Sequence, residues 1–310
     1  MTSKALELNH LVPSMREIAL LSKEERVKRV LADRWLGYTK AEAAVNKLES
    51  LIAHPKRQRM PNLLISGPTN NGKSMIIEKF RRTHLLENKD HYPATDRPIV
   101  IVQMPSDPKI SRFYSILLHG LDVNLRHRPR VSDLEIMALQ MLKNLNVRIL
   151  IIDETHNILA GTTAAQREFL NLLRFLGNQL KIPIVCVGKK EAYFALRSDD
   201  QLENRFEPFT LPLWKDDQEL ASLLASLAST LPLQKPSLLT DLELIRFLLD
   251  KSEGVIGEII TLLNNAAILA IESGACSSQR AETAGLDSQF NVLDALCGKR
   301  QHKDLVRCDA

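Results

Sequence analysis

Between residues 61 and 214 the chain alternates two patterns of apolar positions. Short runs of consecutive apolar residues, "NLLIS", "PIVIVQM", "VRILIID", "PIVCVG" and "FTLPL", are separated by stretches such as "SDLEIMALQMLKNL" and "AAQREFLNLLRFLGNQL", where apolar positions recur every third or fourth residue. Runs without polar alternation suit strands buried on both faces. Their alternation with helical segments predicts an α/β core, a parallel five-stranded sheet with helices on both faces. Residues 1–60 read as a helical N-terminal extension, in which Ser22 with Glu25 and Thr39 with Glu42 form capping boxes. Over 215–275 the strand signal disappears, and "DLELIRFLLDKS" and "EIITLLNNAAILAIES" predict a small all-helical domain. The last stretch, 276–310, is polar and interrupted by Gly285 and Gly298, as expected of a flexible tail. No internal repeat is present.

With 310 residues, 45% hydrophobic and 25% charged, the composition is that of a globular protein. No run reaches the roughly 18 apolar residues of a membrane span, and "MTSKALELNHLV" lacks the apolar centre of a signal peptide. These features lead us to expect a cytoplasmic protein without a membrane partner. Cys186, Cys276, Cys297 and Cys308 lack metal-ligand spacing and read as reduced thiols. A net charge of +4 permits a polyanionic partner without requiring one.

The stretch "GPTNNGKS" follows the first strand and opens a helix. It has the spacing G-x-x-x-x-G-K-[ST], whose backbone N–H groups cradle phosphate oxygens at a helix N-terminus. Gly67, Pro68, Thr69, Asn70, Asn71, Gly72, Lys73 and Ser74 would form this cradle for ATP. In it Lys73 would meet the β- and γ-phosphates and Ser74 would ligate Mg²⁺. "VRILIIDETHNIL" is a strand ending in adjacent carboxylates. Asp153 is placed to hold Mg²⁺ through its water shell, and Glu154 to orient or deprotonate an attacking water. A plain turn and a solvated acidic loop are the alternatives. In "QLENRFEPFTL", Arg205 is either a surface charge or an arginine finger that reaches the nucleotide of a neighbouring copy.

Taken together, "GPTNNGKS", "ILIIDETHNIL", "ENRF" before the fifth strand and a helical lid resemble an AAA+ ATPase. Within that superfamily, "RPIVIVQMPSDPKISRFYSILLHGL" and "DETHNILAGTTAAQREFLNLLRFLGNQLKIPIVCVG" look like the TniB family of transposition ATPases, relatives of TnsC and MuB. The resemblance covers about residues 15–275. It implies a homo-oligomeric ring or helical filament that assembles on double-stranded DNA with ATP and recruits or activates a DDE transposase. Lys73, Asp153, Glu154 and Arg205 would take the ATPase roles above. The pattern departs from AAA+ proteins at "VGKKEAY", where Lys189 stands near the usual polar sensor, and at "SEGVIGEI", which lacks a lid arginine. Both departures suit slow hydrolysis.

Lys109, Arg112, Arg126, Arg128 and Arg130 stand against one acid, Asp122, an asymmetry typical of phosphate binding. By the resemblance Lys109, Arg112, Arg128 and Arg130 would face DNA and touch its backbone non-specifically, with Arg167 a weaker candidate. His127 and His156 read as ordinary polar neighbours. The rival readings are a helicase-loader or replication-initiator-like ATPase and a non-hydrolysing nucleotide-bound DNA scaffold.

Overall fold

The computed structural model describes residues 8–125 and 129–273. Arg126, His127, Arg128, the tail over 276–310 and its three cysteines lie outside them. Along the chain run α1 (Pro13–Arg16), α2 (Lys23–Leu31), α3 (Thr39–Ile52), β1 (Asn62–Ser66), α4 (Lys73–Glu87) and β2 (Ile99–Gln103). Next come α5 (Ile110–Gly120), α6 (Val131–Asn144), β3 (Ile149–Asp153), α7 (Thr163–Leu180), β4 (Ile184–Gly188), α8 (Glu191–Arg197), α9 (Asp200–Glu203) and β5 (Phe206–Thr210). The described part closes with α10 (Gln218–Thr230), α11 (Leu242–Ser252) and α12 (Ile256–Ser273). Contacts divide these elements into two units, Thr39–Pro212 on one hand and, on the other, the described residues up to Tyr38 with those from Leu213 onward.

In the first unit the five strands lie in the order β2-β3-β4-β1-β5, every pair parallel. The central strands β1 and β4 are buried at every residue, as apolar runs without alternation require. The two edges depart from that pattern. β2 exposes Ile101 and Gln103, and β5 carries Pro208, a residue without an N–H that a sheet accepts on its outer strand. On one face Phe113 meets Phe169 edge to face at 5.1 Å, beside Leu150, Ile152 and Cys186. Complete burial raises the Cys186 thiol to about 12, so it stays protonated at neutral pH.

The second unit corrects the expectation of one extension over 1–60. Val30 of α2 is buried in the same cluster as Leu220, Leu224, Leu248, Ile259 and Leu263 of the three C-terminal helices. α3 instead packs on α4 in the sheet unit through the face bearing Ala41, Ala44, Leu48 and Ile52. Each helix follows the core that covers its apolar stripe. The Ser22–Glu25 capping box opens α2, with Glu25 N–H on Ser22 Oγ (3.3 Å) and Ser22 N–H on Glu25 Oε2 (3.1 Å). With 18 residues and a mean hydropathy of 1.3, α12 is long and apolar enough to cross a membrane by length and composition. Its Ile259, Leu263, Ala266 and Ala267 are buried against the other helices, which accounts for its apolarity. Gly254, with φ +74°, closes the turn before α12; an added Cβ would stand 2.5 Å from the Trp214 carbonyl oxygen.

Asn62 aligns the starts of three strands. Its side-chain oxygen accepts the Ile184 N–H (2.9 Å) and its own N–H donates to the Arg205 carbonyl (3.1 Å). Replacing Asn62 by Ala leaves the buried Ile184 N–H unpaired, which costs about 1–3 kcal/mol. Chemical denaturation should show a lower midpoint at unchanged slope, and an unchanged midpoint would show that the bond contributes nothing net.

Candidate functional site

The loop from Gly67 to Gly72 joins β1 to α4 on the edge where all five strands end. Gly67 donates its N–H to the Gly188 carbonyl of β4 (3.2 Å). Asn70 and Gly72 take left-handed backbone angles, φ 57° and 80°, so the chain turns sharply into the helix. The first intrahelical bond of α4 runs from Ile76 N–H to Gly72 carbonyl (3.0 Å), leaving the N–H groups of Lys73, Ser74 and Met75 without intrahelical partners. α2, α7, α10 and α11 are capped by Ser22, Thr162, Asp217 and Asp241, whereas α4 has neither a side-chain cap nor an acid in its first turn. Its positive end is therefore open to an anion.

Lys73 is buried, and its Nζ donates to the carbonyls of Gly67 (2.9 Å) and Pro68 (2.5 Å). Burial lowers its pKa against the pull of Glu154 and Asp153, with Lys189 adding to the lowering. Lys189, directly after β4, thus belongs to the electrostatic neighbourhood of the loop. Asn71, anticipated as part of the cradle, has its side chain engaged elsewhere. Its amide donates to the Leu211 (3.2 Å) and Pro212 (3.0 Å) carbonyls after β5.

The tip of β3 faces this loop across β4. Ser74 Oγ donates to Asp153 Oδ2 (3.2 Å), so the two residues expected at a metal are already in contact. A hydroxyl and a carboxylate oxygen are the hard donors Mg²⁺ takes, and the pair fits that ion. Asp153 Oδ1 accepts the Glu154 N–H (2.8 Å) while Glu154 sits at φ 56°, a conformation costly for a side chain with a Cβ. Thr155 Oγ1 donates to the Ile152 carbonyl (2.8 Å) and accepts the Val187 N–H (3.2 Å), locking that turn to β4. His156 Nε2 lies 3.3 Å from Glu154 Oε2.

Arg205 precedes β5 and is at the other end of the sheet. β1 and β5 pair from Asn62↔Phe206 to Ser66↔Thr210, which separates Arg205 from the phosphate loop by a strand of roughly 16 Å. Its Nη1 donates to Asn178 Oδ1 (3.0 Å).

The basic residues after β2 gather on the loop edge. α5 and α6 run parallel, with Tyr114 OH donating to Glu135 Oε2 (3.1 Å) four residues into each helix. At their far ends Arg97 reaches the Gly120 carbonyl (3.4 Å) with its side chain and the Leu145 carbonyl (2.8 Å) with its N–H. Lys109 and Arg130, directly before the two helices, are thereby brought to one end, with Arg112 in the first turn of α5 and exposed Arg167 as the fifth residue of α7. Asp122 belongs to the opposite end, paired with Arg97. Two acids outside the run counted from Lys109 meet the cluster, Asp133, which accepts the Arg130 N–H (3.3 Å), and Asp107, 3.1 Å from Lys109 and 3.6 Å from Arg112. A hydrogen bond from Lys109, with Arg112 nearby, holds the Asp107 carboxyl below the usual range. Among the described residues no group of three His, Cys, Asp or Glu side chains forms a metal site.

The Aeropyrum pernix ORC2 protein, solved as ADPNP-ADP complexes, is similar in fold with a TM-score of 0.59 at 17% identity, over 86% of this chain and 71% of that one. Aeropyrum pernix ORC1 in complex with DNA gives 0.59 at 15% identity, over 86% and 68%. Drosophila ORC bound to DNA gives 0.58 at 13% identity, over 94% and 68%. No curated protein matches the chain. The structural likeness shows a shared α/β fold, and the profile of the family described as Bacterial TniB protein matches residues 26–216, more than half of the sequence. That span contains the phosphate loop, the β3 carboxylates and Arg205, and the chain belongs to the TniB family.

Proposed function

We propose that this protein is an ATP-dependent, DNA-binding regulator of transposition, whose copies assemble on duplex DNA and recruit or activate a DDE transposase. The observation that carries the ATPase reading is the Ser74–Asp153 hydrogen bond, set between the uncapped N-terminus of α4 and the Glu154 carboxylate. Lys73 and the α4 N–H groups would bind the phosphates, exchanging the Gly67 and Pro68 carbonyls for a stronger acceptor. Ser74 and Asp153 would hold Mg²⁺, which offsets charge on the phosphate oxygens when bound. Glu154 would take the proton of the attacking water. Arg205 cannot serve the loop of its own copy from the far end of β5, so its target would be the nucleotide of a neighbour. Lys109, Arg112 and Arg130, with three helix N-termini behind them, would track the DNA backbone. The DNA in the ORC1 complex favours a second reading, a replication-initiator-like ATPase. Stimulation of a cognate transposase, measured as strand transfer with and without this protein and ATP, separates the two.

Because burial lowers the Lys73 pKa, its charge opposes folding at neutral pH, and the opposition fades as pH rises through the folded pKa towards the unfolded value. Lys73→Met should therefore raise the unfolding temperature measured without nucleotide. It should also abolish the shift that ATP produces, which is about 2.7 kcal/mol at a hundredfold excess over Kd for one site. Glu154→Gln should keep ATP affinity within about twofold and cut phosphate release by at least about 10²-fold. Turnover at the wild-type rate would remove Glu154 from its role.

Arg205→Ala should slow hydrolysis by about 10³-fold. Mixing it with Glu154→Gln should recover part of the rate, since some interfaces then pair an intact base with an intact arginine. No recovery in mixtures shown to co-assemble would rule out action across the interface.

Replacing Lys109 and Arg112 by Ala should weaken duplex binding equally on unrelated sequences. The slope of log affinity against log salt should fall by about one for each lost phosphate contact. An unchanged slope would mark these residues as partners of Asp107 only.

A further inference from the structure

At the opposite end of the sheet from the phosphate loop is a cleft of about 580 Å³ that includes His54, Arg57, Arg59, Asn204 and Arg205. It is built from two connections that the parallel pairing of β1 and β5 brings together, the segment before Asn62 and the segment before Phe206. None of its eight lining residues is acidic. Arg57 and Arg59 are exposed, and neither has a carboxylate partner among the described residues. Elsewhere in this unit Arg81, Arg97, Arg112, Arg174 and Arg197 each lie against an Asp or Glu. Three arginines thus line one cleft whose lining holds no acid, and a guanidinium fork is suited to take the oxygens of an anion that enters it.

We propose that Arg57 and Arg59 join Arg205 as a composite receptor for the polyphosphate tail of the nucleotide held by an adjoining copy of this chain. This rests on the reading that Arg205 acts across an interface. Two observations favour this anion over a DNA backbone. Arg205 already belongs to the cleft, and the basic residues suited to DNA, Lys109, Arg112 and Arg130, are at the other end of the sheet. Although that end also carries basic residues, a triphosphate bound beside Asp153 and Glu154 would be the anionic part of it that an acid-free cleft can take. Joining one copy's loop end to the next copy's cleft is a head-to-tail contact, which generates rings or helices. Arg57 and Arg59 would hold the phosphates in the assembled state, and Arg205 would stabilise charge during transfer.

The test uses the full chain carrying Arg57→Gln and Arg59→Gln, with Arg57→Lys and Arg59→Lys as the charge-preserving control. ATP affinity is measured below the assembly concentration, and assembly on duplex DNA with a slowly hydrolysed ATP analogue is followed by sedimentation. The Gln pair should bind ATP within about twofold of wild type yet need about tenfold more protein to assemble, the effect of roughly 1.4 kcal/mol per interface. The Lys pair should recover most of that loss. Mixing the Gln pair with Lys73→Met, which keeps the cleft but not the nucleotide, should give more hydrolysis than either alone. Unchanged assembly and turnover of the Gln pair would overturn the proposal. So would weakened ATP binding by the unassembled chain, or weakened DNA binding without nucleotide, which would assign the cleft to DNA. If Arg205→Ala is rescued in mixtures while the Gln pair behaves as wild type, this inference fails and the proposed function stands; if Arg205→Ala is not rescued, the trans reading itself fails.

Discussion

Five strands running in one direction set where everything else can be. In a parallel sheet all carboxyl ends share one edge, and the chain must cross back over a face before each new strand begins. The crossovers place α4, α5 and α7 with their N-termini on that edge, so positive helix ends and strand-tip carboxylates meet there. β1 and β3 are not neighbours; β4 separates them by two strand spacings, roughly 10 Å. The contact between Ser74 and Asp153 exists because the first turn of α4 leans over β4 towards the end of β3. A change in strand order would leave the same motifs in the sequence and no site in the fold.

The parts legible in the sequence are those whose chemistry is local. The spacing from Gly67 to Ser74 dictates a turn and a helix start within eight residues, and the short β-branched run into Asp153 reads as a strand with its carboxylate at the tip. Unread were features that depend on pairing across distance. Nothing local to Val30 indicates that α2 completes a core made by helices almost two hundred residues later, since an amphipathic stripe does not name its partner. Asn71 fits the phosphate loop equally well as a ligand or as a tether, and only the position of Leu211 and Pro212 decides between them. The mutual alignment of α5 and α6, on which the grouping of Lys109 with Arg130 depends, is set by Tyr114, Glu135 and Arg97. Those three residues carry no recognisable motif.

The sheet also separates two kinds of positive charge. On the loop edge several cations are tempered. Lys73 is held by carbonyls and drawn by Asp153 and Glu154, and Lys109 and Arg112 share Asp107. Around Arg57 and Arg59 no such tempering is found among the described residues. Exposed pairs of the first kind contribute little to stability, and their value is in keeping side chains extended and ready to exchange one oxygen ligand for another.

Asn71 adds a mechanical property to the phosphate loop. Its amide grips Leu211 and Pro212, the last two residues of the sheet unit before the chain passes to the helical one. Leu211 is also held by its own N–H, which donates to the Ser66 carbonyl at the end of β1 (2.8 Å), so a shift of this segment strains both the strand end and the loop. The tether ties the conformation of the phosphate loop to that of the segment after β5, so that neither backbone can shift without the other.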